Sequence, residues 1–200
     1  MVRSHSTIHY VTHKESNMTT MKKTRYEVGS IHESPKGPLK VLEYIPGHKD
    51  RSTGKKVHPR VVIRMLNTGT VLNVQTTNIP VGKFEDYRLP TVYGIGYIGS
   101  TIKITARGTF IRRVYNLWAN MLKRVVHEYQ GVSVDPRWLN FTNFLATIPN
   151  VKGYDAWERG EDVHLDKDLA GNNRYSLEDC EFIPATDNIR ESSLRRWRKK

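Results

Sequence analysis

The apolar positions change period about halfway along the chain. From 25 to 105 they fall in short, β-branched runs bounded by turn residues, which predicts strands at 26–31, 39–44, 60–66 and 70–76. Asn67-Thr68-Gly69 separates the last two, and Asn and Gly supply the positive φ that a hairpin turn needs. Four or five such strands make a small twisted sheet or barrel. A glycine-punctuated loop at 47–56 carries His48, Lys49, Arg51, Lys55 and Lys56. The run at 93–99, Tyr-Gly-Ile-Gly-Tyr-Ile-Gly, reads as a connector whose glycines permit close backbone approach. Gly94, Gly96 and Gly99 have the spacing of a dinucleotide fingerprint. The β-branched stretch 101–105 follows them, where that fingerprint needs a helix, so no such site is expected.

From 111 to 130 the period becomes helical. Val114, Trp118, Met121, Val125 and Tyr129 share one face, and Arg112, Asn116, Asn120, Lys123 and His127 fall opposite. Gly131 is a C-cap candidate. Periodicity leaves two roles open for the polar side: a solvated surface, or a surface against phosphates, with Arg112, Arg113, Lys123 and Arg124 as the contacts. Asp135-Pro136 is an N-cap followed by proline at the first helical position. It opens a short aromatic helix with Trp138, Phe141, Phe144, Leu145 and Ile148. Three rings on one helical face predict core rather than base-stacking platforms. Tyr154 and Trp157 follow in a charged loop.

The stretch 163–190 predicts strand, Gly-Asn-Asn turn, a second strand at 180–183, and a helix after Pro184 that Thr186 or Asp187 caps. Alternation on the first strand places His164, Asp166 and Asp168 on one face and Lys167 on the other. Two carboxylates beside a histidine suit Mg²⁺ (or Mn²⁺) and an activated water, and Asn188 can add an oxygen ligand. A calcium EF loop does not fit, because Ala170 and Leu177 stand where oxygen ligands are needed. Cys180 reads as a packed core thiol.

Charge sharpens this picture. The 200 residues hold 32 Lys and Arg against 20 Asp and Glu, a formal net charge of +12. Such a chain is attracted to polyanions, with nucleic acid the leading candidate and an anionic membrane surface the second. Arg174, Arg190, Arg195, Arg196 and Arg198 join the candidate phosphate contacts, the last four in a basic C-terminal run. A single cysteine excludes a disulfide framework and any zinc site built on two cysteines. No run of eighteen apolar residues and no signal-peptide stretch is present, which predicts a protein of the reducing cytoplasm. The expected fold class is α+β. A polar tail at 1–24 precedes a β-rich module at 25–105, and a second α+β domain fills 106–200.

The stretch from 115 to 190 resembles phage-encoded HNH-type endonucleases, many of them free-standing homing enzymes. The shared pattern begins with Tyr115-x-x-Trp118-x-x-Met121-Leu122-x-Arg124, Tyr129-x-Gly131-Val132-x-Val134 and Trp138-x-x-Phe141-x-x-Phe144. It closes with Leu165-Asp166-Lys167-Asp168, Gly171-Asn172, Tyr175-Ser176-x-Glu178-x-Cys180-x-Phe182-x-Pro184 and Asn188. The β segment resembles the N-terminal extensions of such proteins more weakly. The resemblance implies a ββα metal finger that cuts double-stranded DNA with one divalent ion, in a host bacterial cytoplasm. It puts Asp166 at a metal-binding position, Asn188 at the helix asparagine, and Lys167 where the catalytic histidine is expected. A lysine ammonium is a poor general base in neutral water. Three outcomes stay open: His164 serves as the base, this group uses another arrangement, or the finger binds nucleic acid without cutting it. A basic protein of ribosomes or virions is a further possibility that the charge permits. Met21-Lys-Lys-Thr-Arg-Tyr also resembles an ordinary bacterial or phage start, so 1–20 reads either as an upstream extension or as a flexible basic arm.

Overall fold

The computed structural model describes residues 24–104, 107–167 and 172–187. The fold is α+β, with a β-rich first half followed by helices and short strands. The first half contains β1 (Ile31–His32), β2 (Leu39–Ile45), β3 (His48–Lys49), β4 (Lys56–Val57), β5 (Arg60–Met65) and β6 (Val71–Gln75). An open antiparallel sheet has the order β1-β2-β5-β6, and β3 and β4 pair separately as a two-stranded ribbon. Alternation along β5 buries Val61, Ile63 and Met65 and turns Arg60, Val62 and Arg64 outward. With Leu39, Val41, Val74, Tyr26 and Ile79 these side chains form one hydrophobic cluster.

The β5–β6 turn follows the sequence. Gly69 adopts φ +70° and donates its N–H to the Met65 carbonyl at 2.9 Å. The turn is tied down by buried Asp86, which accepts the Thr68 hydroxyl at 2.7 Å and the Thr70 hydroxyl at 2.6 Å. The predicted strand at 26–31 shrinks to Ile31–His32. A turn in which Ser30 N–H donates to the Glu27 carbonyl, with Gly29 at φ +89°, occupies its start. The basic loop at 47–56 is closed by the β3–β4 ribbon rather than open.

The second half contains α1 (Phe110–Lys123), β7 (Ser133–Val134), α2 (Phe141–Thr147), α3 (Tyr154–Arg159), β8 (Val163–Asp166), β9 (Arg174–Tyr175) and β10 (Glu181–Pro184). Helix α1 buries Val114, Trp118, Met121 and Leu122. Their cluster also takes in Trp138, Phe141, Phe144, Ile148, Tyr154, Leu165 and Phe182. The Trp118 indole donates to the Trp138 carbonyl at 2.6 Å, so the largest buried ring leaves no unpaired polar atom. Gly96 lies so close to Leu122 and Trp118 that a Cβ would collide with both, and Gly99 does the same against Asn140. The glycine connector is thereby pressed onto α1 and α2.

The helical predictions are corrected at four places. The predicted helix at 111–130 ends its α section at Lys123 and closes with a wider π turn at Arg124–Glu128. Tyr129 N–H donates back to the Arg124 carbonyl at 2.9 Å, which rotates Tyr129 away from the buried stripe. The aromatic helix is cut in two at Asn140. Asp135 caps a 3₁₀ turn at Pro136–Leu139, and Asn140 turns extended and caps α2 by accepting the Thr142 N–H at 3.0 Å. Tyr154 and Trp157 are helical rather than looped, because Gly153 and Gly160 take positive φ at the two ends of α3. The predicted strand at 180–183 shifts by one residue to Glu181–Pro184. Residues 185–187 are already helical, so Thr186 and Asp187 lie past the cap. Among the described residues no helix is long and apolar enough to cross a membrane.

Candidate functional site

The hairpin β8–β10 presents the candidate chemistry. Its antiparallel register sets Leu165 opposite Phe182, His164 opposite Ile183 and Asp166 opposite Glu181. Leu165 and Phe182 are buried in the core, and Phe182 is ringed by Tyr154 and Trp157 of α3. This packing anchors the strand that carries His164. A helical turn at 185–187 follows β10, and β9 stands between β8 and β10; residues 168–171 and the helix expected from 188 on lie outside the described residues.

His164 is exposed and lines a cavity of about 360 Å³ between β8 and α1. The opposite wall is α1 and the turn after it: Arg113, Asn116 and Asn120 interleaved with Leu117 and Met121, then Arg124. Tyr175 and Trp157 complete it. A second hollow, lined by Arg107, Gly108 and Arg112, shares Arg113 and Asn116 with the first. The two make one trough along the basic side of α1. Most of its cations are held in place. The Arg113 guanidinium sits 4.9 Å over the Trp157 ring and donates to the Trp157 carbonyl at 2.8 Å. Arg112 lies 5.6 Å over the Tyr115 ring. Lys123, by contrast, makes an exposed ion pair with Glu128 at 3.3 Å.

Asp166 and Lys167 behave differently from His164. Both are only 6% exposed. The Lys167 ammonium lies 5.0 Å from the Tyr129 ring centre and 5.8 Å from that of Tyr175. It is a desolvated cation between two aromatic faces, an arrangement favourable by about 2 kcal/mol or more. Burial pushes the Tyr175 hydroxyl up to about 12, against the Arg124 guanidinium beside it. Burial likewise pushes the Cys180 thiol up to about 12, with Asp166 adding to the effect. Cys180 therefore packs as the sequence predicts and carries no activated thiolate.

Arg174 is gathered into an acidic knot. Asp135, whose side chain is 4% exposed, accepts Arg174 and Arg137 at 2.7 Å each, and Arg137 also reaches Glu178 at 2.9 Å. The Arg137 hydrogen bonds are the main reason that the Asp135 carboxyl is held down at about 2. This knot locks β7 to β9, a parallel pairing that the sequence does not signal.

The predicted metal ligands are only partly placed. Asp166 is described, whereas Asp168 and Asn188 lie outside the described residues. Arg190, Arg195, Arg196 and Arg198 lie outside them too. Among the described residues no group of three His, Cys, Asp or Glu side chains is placed to hold a metal ion. As a donor set, Asp166, Asp168 and Asn188 offer oxygen alone, which suits a hard cation such as Mg²⁺ or Mn²⁺. No family model, curated protein or solved structure matches the chain. The residues that sequence reasoning missed are the holders of the site: Tyr129 and Tyr175 around Lys167, Trp157 under Arg113, and Asp135 between two arginines. The aromatic content around 115–157 could have signalled Tyr129 and Trp157, whereas nothing in the sequence marks Tyr175 or the arginine partners of Asp135.

Proposed function

We propose that the chain is a metal-dependent DNA endonuclease of HNH type, phage-encoded and acting on double-stranded DNA in the host cytoplasm. The observation that carries this reading is His164. It is an exposed imidazole on an anchored antiparallel hairpin, and it lines a trough in which Arg113, Asn116, Asn120 and Arg124 alternate with apolar side chains. A phosphodiester in that trough would meet Asn116, Asn120 and Arg124 as hydrogen-bond donors, and His164 would take the proton of the attacking water. A divalent ion held by Asp166, Asp168 and Asn188 would supply positive charge against the scissile phosphate. Lys167, enclosed by Tyr129 and Tyr175, is assigned to holding the strand end rather than to proton transfer.

The same lysine favours a second reading. The position where the resemblance expects a catalytic histidine is filled by a buried cation, as in a finger that binds DNA without cutting it. Incubation with supercoiled plasmid separates the two. The endonuclease nicks or linearises the plasmid with Mg²⁺ or Mn²⁺, not with EDTA, and Asp166→Asn abolishes the product. A plasmid that shifts on a gel but stays intact under every condition establishes the second reading.

A further inference from the structure

The hairpin formed by β2 and β5 does not stop at the sheet. Ile45 pairs with Arg60, and after the interruption at Pro46 and Pro59 the same register continues as His48 with Val57 and Lys49 with Lys56. The β3–β4 ribbon is thus the outer end of one long hairpin, running past β6.

Its side chains are arranged at a cost. Lys40 stands directly opposite Arg64 across β2 and β5, and Lys49 stands directly opposite Lys56 across the ribbon. Like charges in directly opposed positions destabilise a sheet. Among the described residues, no ion pair joins any of these four to a carboxylate. All four are exposed. Between them Arg60 is stretched over β6, donating to the Asn73 side-chain oxygen at 2.7 Å and the Asn73 carbonyl at 2.6 Å.

The tip is built rather than loose. The Asp50 carboxylate accepts Ser52 N–H at 2.9 Å, Ser52 hydroxyl at 2.7 Å and Thr53 N–H at 2.8 Å. Asp50 N–H donates to the Lys55 carbonyl at 2.8 Å, and Gly54 N–H returns to the Asp50 carbonyl at 2.9 Å. The one acid at the tip is spent on its turn, and the neighbouring Arg51 and Lys55 stay exposed.

We propose that this hairpin is an arm for duplex DNA, with the β3–β4 ribbon in the major groove and Lys40, Arg60 and Arg64 against flanking phosphates. Opposed cations that cost the free protein stability become favourable contacts once a polyanion lies across them. The B-form major groove, about 12 Å wide, admits a two-stranded ribbon. The deep, narrow major groove of double-stranded RNA does not. The arm rests on the DNA-binding half of the function proposed above and is independent of cleavage.

The test uses the full chain and fluorescently labelled 30-base-pair duplex DNA, the matching RNA duplex and anionic phosphatidylserine vesicles. The variants are Lys49→Ala/Lys56→Ala and Lys40→Ala/Arg64→Ala. Each double variant should keep or raise the melting temperature and weaken duplex DNA binding at least tenfold. The Lys40→Ala/Arg64→Ala variant should also make the log–log salt slope shallower by about 1.8, for two phosphates at about 0.9 each. Unchanged affinity and slope overturn the arm, as does equal binding of the RNA duplex or tighter binding of the vesicles. Plasmid nicking is scored alongside. If the pairs carry affinity and no nicking occurs, the arm stands while the endonuclease reading falls. If nicking occurs and the pairs carry no affinity, the arm falls alone.

Discussion

At the scale of single residues, burial divides the three neighbours His164, Asp166 and Lys167 into different jobs. His164 is open to the trough, whereas Lys167 is enclosed by two tyrosine rings. Lys167→Ala should lower stability by about 2 kcal/mol in a denaturant melt, because the tyrosine faces lose their cation and a void opens beside them. The salt slope of DNA binding should stay at the wild-type value. A slope shallower by about 0.9 with unchanged stability would instead make Lys167 a phosphate contact. Cys180 offers a second check. Its thiol is pushed up to about 12 by burial, so a thiol reagent at pH 8 should react slowly with the native chain and quickly once it unfolds. Fast native labelling would contradict the packing described for β10.

At the scale of elements, several joints rest on one residue. Gly96 meets Leu122 and Trp118 with no room for a Cβ. Gly96→Ala should therefore cost about 1–3 kcal/mol by forcing α1 and the connector apart. Asp135 couples β7 to β9 through Arg137 and Arg174. Its carboxyl is held below the ordinary range, at about 2, so the stability it provides is complete above about pH 4. That stability drains away as pH falls toward 2. Asp135→Asn should be less stable at pH 7 and should lose less on acidification between pH 4 and 2. A parallel acid response of variant and wild type would exclude the carboxylate as the cause.

These elements also show what the sequence could say. The periods of β2, β5, β6 and α1 were legible because one face of each is buried and the other is wet. The end of α1 was not, since Val125 and Tyr129 continue the apolar pattern through a π turn that keeps Val125 against the core and exposes Tyr129. Asn140 hid a helix break because its capping role depends on the connector strand at Tyr97 pairing beside it. The strand carrying His164 was readable, and so was its partner strand. The enclosure of Lys167 was not, because Tyr129 and Tyr175 meet it only through tertiary packing.

At the scale of the whole molecule, the chain carries a net charge of +12, and the described residues present two basic surfaces, the trough along α1 and the β2–β5 hairpin. Affinity for duplex DNA should fall steeply with salt, at about 0.9 logarithmic units per phosphate neutralised. A flat response between 50 and 200 mM NaCl would rule out phosphate contacts by either surface. The rate of plasmid nicking by His164→Ala against wild type, at protein concentrations that saturate the DNA, tests the endonuclease reading most directly. An exposed histidine that takes the proton of water predicts a loss of about 10²–10⁴-fold with no loss of DNA binding. A His164→Ala protein that nicks at the wild-type rate would remove His164 from the chemistry and with it the site described between β8 and α1.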